Sequence, residues 1–195
     1  MKRFTVCLLA LCLLLSGCAK SAPEKAADGT TWSENWTTLG GVLGVGEPGH
    51  DLELRDNKDA LSVTDMYLAS WTIGEGAPYV NEDGDEVVLY PARLDVLVYG
   101  CKDAAAAQQS VEDWTARQAE TYNVTASQKQ TCSGQDYTVS AYTCKSETNP
   151  YSRGVSAFGV YQDYAVSAEL NCLDSFTEDE AAILTDFLDG CHYAA

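Results

Sequence analysis

Positive charge is scarce in this chain. Its 195 residues include 12 lysines and arginines against 29 aspartates and glutamates, a formal net charge of −17 at pH 7. A surface of that sign repels phosphate backbones and argues against nucleic acid as a partner. Histidine occurs twice, at His50 and His192, and no Cys-x-x-Cys pair exists, which leaves little from which to build a zinc or redox centre. Cys191 and His192 are adjacent, a spacing that sends their side chains in different directions. After the first fifteen residues there is no long apolar run, so nothing there spans a membrane as a helix. The glycines at 40, 41, 44, 46 and 49 lack both the Lys-Ser/Thr ending of a phosphate loop and the GxGxxG order, and read as a loop. Apolar residues make up 46% and aromatic residues 10%, enough to build a core and to exclude a disordered chain. The length suits one ordinary domain.

The N-terminus carries an address. Lys2 and Arg3 precede an apolar run from Phe4 to Leu15, too short for the roughly 20 residues a bilayer-spanning helix needs but fitted to the core of a secretory signal. The run ends in Leu15-Ser16-Gly17-Cys18, which resembles the lipobox of bacterial lipoproteins. That resemblance implies cleavage before Cys18 and a diacylglycerol on its thiol, with acyl chains that hold the chain stably at a membrane. Residues 1–17 are then a signal peptide and 18–30 a small, polar lipidated tether, leaving 31–195 as a single domain on the extracytoplasmic face of the cell membrane.

Along that domain, Trp32, Trp36 and Leu39 fall on one face of a short helix, and residues 61–73 favour strand. An Asp83-Gly84 turn leads to a long strand over 87–99, with Pro91 marking an edge or bend. The clearest helix spans 103–122, capped by Asp103, with Ala104, Ala107, Val111, Trp114, Gln118 and Tyr122 at helical spacing. Strands follow near 123–130, 137–144, 153–161 and 164–172. In the last of these Val166, Ala168, Leu170 and Cys172 share one side. Thr177 opens a closing helix in which Glu180 completes a capping box and Ile183, Leu184, Phe187, Leu188 and Cys191 form the buried stripe. The order helix, two or three strands, helix, four strands, helix predicts an α+β fold: a mostly antiparallel sheet with helices packed on its faces.

Beyond the leader and Cys18, the cysteines are Cys101, Cys132, Cys144, Cys172 and Cys191. Five is odd, so at least one stays unpaired within the chain. If consecutive strands run up and down, Cys144–Cys172 is the first pairing to expect and Cys101–Cys132 the second. Cys172–Cys191 is disfavoured because the closing helix carries Cys191 about 20 Å away.

Signals for chemistry are weak. Gly154-Val155-Ser156-Ala157-Phe158-Gly159 is near a nucleophile-elbow motif, but the spacing is wrong and it lies within a strand pattern. The acids offer many carboxylate pairs and no spacing that singles one out. The oxygen-rich segment that contains Asn81, Asp83, Asp85 and Glu86 reads as a solvated hairpin tip, with weak Ca²⁺ binding as the alternative; it lacks the glutamate that closes an EF-hand loop. Tyr151, Tyr161 and Tyr164 flank turns, where rings either pack or serve a binding surface. No cofactor is implied.

The succession of Asp83-Gly84 turn, strand ending near Gly100, alanine-rich helix with Trp114, hairpins and closing helix resembles the PsbP-like α/β/α sandwich, over roughly residues 50–192. That resemblance implies an accessory or binding module, and no ligand residue carries over. The expectation is a non-catalytic envelope lipoprotein that engages a protein partner. A small-ligand or cation-binding lipoprotein, for Ca²⁺ or a glycan, is the alternative, and a carboxylate-based hydrolase a third reading.

Overall fold

The computed structural model describes residues 25–58, 65–81 and 83–195. The leader, Cys18 and the expected strand's first residues, 61–64, lie outside the described residues. In chain order the elements are β1 (Thr37–Leu39), β2 (Leu43–Val45), β3 (Glu53–Lys58), β4 (Met66–Ile73), β5 (Ala77–Val80), β6 (Glu86–Leu89) and β7 (Ala92–Gly100), followed by α1 (Ala104–Thr121). Then come β8 (Tyr122–Cys132), β9 (Gln135–Cys144), β10 (Arg153–Tyr161), β11 (Tyr164–Cys172), α2 (Glu180–Asp189) and β12 (Cys191–Tyr193).

Seven strands form one antiparallel sheet in the order β3-β4-β7-β11-β10-β9-β8. Alternation in each strand sends one set of side chains to each face. On one face Trp71, Leu94, Val96, Ala157, Val166, Ala168 and Leu170 pack under α2 and a small sheet of β1, β2 and β12. Trp71 meets Phe187 of α2 edge-on, with ring centroids 5.1 Å apart. On the other face a smaller cluster of Ala107, Val111, Phe158 and Ala165 seats α1. The fold is thus α+β, a mostly antiparallel sheet covered on both faces.

Local chemistry explains the boundaries. Asp103 caps α1 by accepting the Ala106 N–H at 2.8 Å. Ser133 and Gly134 at φ 47° and 75° turn β8 into β9, and Gln162 at φ 54° turns β10 into β11. Pro91 breaks the expected 87–99 strand, so that β6 joins the separate hairpin with β5 and β7 enters the main sheet.

Several expectations are corrected. No helix forms over Trp32–Leu39, because Gly40 and Gly41 at φ 61° and 68° reverse the chain and pull Thr37–Leu39 into a hairpin with Leu43–Val45. The closing helix starts at Glu180 rather than Thr177; Asp179 is its cap, accepting from the N–H groups of Ala181 and Ala182. Cys191 belongs to β12, not to the helix. Residues 25–30, expected as tether, are bound to the C-terminus: Ala26 bridges Ala194 and is buried, and Lys25 bridges Thr31.

The five described cysteines are free thiols. Cys144 and Cys172 do end at the same edge of the sheet, but β10 lies between their strands. Two strand spacings put them about 10 Å apart, beyond the roughly 7 Å a disulfide spans between Cα atoms. Cys101 and Cys132 share the opposite edge but are four strand spacings apart, about 19 Å along the sheet. They also face different layers: Cys101 packs beside α1, and Cys132 lies in the α2 core. In that core Cys132 and Cys191 are neighbours, and burial holds both thiols above their ordinary value.

Candidate functional site

The sheet face beneath α1 is apolar only in part. Register across the strands aligns Ser70, Asp95, Glu169, Ser156, Ser140 and Ser127 in a single row. The row is stitched by side chains. Ser70 donates to Asp95 Oδ1 at 2.5 Å, Arg93 Nε to the same oxygen at 2.9 Å, and Ser140 Oγ to Ser127 Oγ at 3.1 Å. Gln118, the last buried residue of α1, donates to Ser156 Oγ at 2.7 Å. The helix therefore stops over a polar strip, and its C-terminal turn does not cover the strip completely.

What remains open is a cavity of about 260 Å³. Trp114 and Phe158, with ring centroids 6.0 Å apart, form one wall, and Tyr122, whose ring lies 4.5 Å from that of Tyr142, forms another. Glu169 enters from β11 with Ser167 beside it, donating to Oε1 at 3.0 Å. Burial raises the Glu169 carboxyl above its usual range, and the Asp95 charge directly opposite on β7 raises it further. Asp95 has Arg93 as a partner; Glu169 has only a hydroxyl. Gly154 shapes the neighbouring row, since a Cβ there would lie 2.2 Å from Leu170 O and 2.7 Å from the Tyr142 hydroxyl.

A second recess runs between α1 and the outer strands, with a volume of about 730 Å³. Val111, Ala116, Phe158 and Val160 give it an apolar floor, and Lys129, Asp136 and Glu112 line its rim. It borders β8, the terminal strand of the sheet, which is exposed over most of its length.

The residues singled out from the sequence lie elsewhere. Asn81, Asp83, Asp85 and Glu86 sit on the β5–β6 hairpin, where the Asn81 side-chain oxygen accepts the Asp85 N–H at 2.7 Å and closes the turn. Glu82 is outside the described residues. Across a recess from that tip lies the 146–150 loop. Among the described residues no cluster of three or more His, Cys, Asp or Glu side chains is placed to hold a metal. His50 Nε2 bonds Asp186 at 2.7 Å; His192 Nδ1 bonds Asp28 at 2.8 Å and stacks on Trp36 at 4.5 Å. The Asp28 carboxyl is pulled down to about 2 by the Thr30 N–H first and His192 second. Ser156 of the near-elbow motif is fully buried within β10. Of the turn tyrosines, Tyr161 packs on Tyr193 with centroids 4.3 Å apart.

Glu169 and Asp95 were not legible as a site. The signal available was modest: the clean alternation of β11 puts Glu169 on the face opposite Leu170, and Gln118 falls on the buried stripe of α1. Both are polar residues at positions that face another layer.

These features define an α+β domain with an open sheet edge and a carboxylate-bearing cavity under one helix. No family model matches the chain, and no curated protein matches it. Among solved structures it is similar to the solution structure of cyanobacterial PsbP (CyanoP) from Synechocystis sp. PCC 6803, at 12% identity and a TM-score of 0.38, covering 76% of this chain and 96% of that one. A likeness at that level says nothing about what this chain binds.

Proposed function

We propose that the protein is an accessory module of the cell envelope, held at the extracytoplasmic face of the membrane by lipid on Cys18, that engages a protein partner rather than turning over a substrate. The open β8 edge carries this reading. An exposed edge can hydrogen-bond an added strand while alternate side chains of the guest enter nearby pockets, and the 730 Å³ recess lies beside this one. Long natural edges are usually blunted by charge or proline. β8 spans 11 residues with no proline and one charged side chain, Lys129, whose amine is turned onto Thr138 at 2.7 Å; a bulge at Thr125 leaves Ala126–Cys132 as its regular edge. Among the described residues no helix is long and apolar enough to cross a membrane, so the acyl chains would supply the attachment. A hydrolase reading is weaker, because two-carboxylate hydrolysis needs both acids at the substrate, and of the facing pair only Glu169 lines the cavity.

The test places a photo-crosslinking residue at Gln128 on β8 and, as a control, at Glu178 before α2, in intact cells. A discrete adduct with an envelope protein from Gln128 and none from Glu178 supports the reading. No adduct, or the same adducts from both positions, overturns it. In parallel, Cys18→Ser is expected to release the protein from the membrane fraction.

A further inference from the structure

We propose that the cavity between the C-terminal turn of α1 and the sheet is a binding site for an organic cation, an alkyl-substituted ammonium group that pairs with Glu169 against the rings of Trp114, Tyr122 and Phe158. This inference stands apart from the protein-partner reading, since it uses a different chemistry; the two places share only Phe158 as a lining residue and meet at Tyr122, the first residue of β8.

Four observations converge. The cavity presents three aromatic side chains, and aromatic walls attract a cation through the ring quadrupole, more strongly when the site is desolvated. Its one acidic lining residue is Glu169, whose carboxylate receives a single protein hydrogen bond, from Ser167. Among the described residues Glu169 makes no ion pair: Arg93 is bound to Asp95, Arg117 lines the same cavity but is exposed, and the Asp95 charge on the neighbouring strand repels that of Glu169. Finally, Gln118 is buried and spends its amide N–H on Ser156, which leaves its carbonyl oxygen able to accept from a ligand. A metal ion is a poorer fit: hard cations need six or more oxygen ligands, and this cavity offers one carboxylate among rings. The volume suits a small head group rather than a large ligand, and the chain's net charge of −17 favours cation approach.

The groups facing Glu169 also set a pH dependence. Asp95 and Arg93 come from β7, Arg117 from α1, Tyr122 from β8 and Tyr142 from β9. Both tyrosine hydroxyls stay protonated at neutral pH, because burial and the Glu169 charge push them up. On acidification Glu169 takes up its proton above the normal carboxylate range.

The experiment titrates the full chain, extracted in detergent, with choline, with its uncharged isostere 3,3-dimethyl-1-butanol, and with sodium chloride. Heat and tryptophan fluorescence are the readouts. Choline is expected to bind at neutral pH at least about tenfold more tightly than the neutral isostere, and to weaken as pH falls through the raised Glu169 range. Glu169→Gln, which keeps shape and hydrogen bonding, should weaken choline about tenfold while the protein stays folded; Asp85→Asn on the distant hairpin should not change it. Trp114→Phe provides a second variant that tests the wall. Equal binding of choline and its isostere, an unchanged Glu169→Gln affinity, or no signal from a folded protein overturns the proposal.

Discussion

Asp28 lies in the segment that bridges the C-terminus through Ala26, and its carboxylate accepts the Thr30 N–H while facing His192. Its folded pKa of about 2 is below the unfolded value of 3.8, so ionised Asp28 favours the fold above about pH 4, and that contribution disappears as pH falls toward 2. Asp28→Asn is therefore expected to lower the melting temperature at pH 7, with the two proteins converging near pH 2 in parallel thermal scans. The group is well exposed, so the effect is small and salt-sensitive. Glu169 has the opposite sign. Its folded pKa is raised, so stability declines as pH climbs from the unfolded value through the folded one. Glu169→Gln should raise the melting temperature at pH 7, and the gain should vanish near pH 4.

At the scale of elements, strands and helices with strong local signals were readable. Asp103 announced α1. The alternation of Val166, Ala168, Leu170 and Cys172 announced both the strand and its core face. Failures fell where local preference was overruled. Trp32, Trp36 and Leu39 have helical spacing, yet two left-handed glycines impose a hairpin. Polar Glu53–Lys58 gives no strand period and becomes β3 by pairing with β4. Cross-strand crowding is equally invisible in one dimension. At Gly154 the Leu170 carbonyl of β11 and the Tyr142 ring close on β10 and leave no room for a side chain. Gly154→Ala should cost about 1–3 kcal/mol of unfolding free energy, as overpacking does, measured by denaturant titration. A change within about 0.5 kcal/mol would mean that the β11 backbone at Leu170 O yields as well as the Tyr142 ring.

For the whole molecule, charge and topology act together. A net charge of −17 over the 195 residues is self-repelling, while favourable pairs such as Arg153–Glu180 are local. Salt shortens the reach of the first to about 10 Å at 0.1 M and weakens the second. With 29 acids against 12 bases, the repulsion is expected to outweigh the pairs, so the melting temperature should rise when sodium chloride is increased from about 0.02 to 0.5 M; a fall would show that the local pairs dominate. Composition, the capped α1, the alternating strands and the α+β class follow from sequence alone, because they depend on contacts between near neighbours in the chain. Strand order does not: β7 lies between β4 and β11, and β8 is left at the edge. That order separates the cysteines expected to pair, sets Asp95 opposite Glu169 and leaves a cavity beneath α1. Only tertiary structure decides such matters, because register between distant strands depends on which buried faces fit together, and no spacing along the chain encodes that fit.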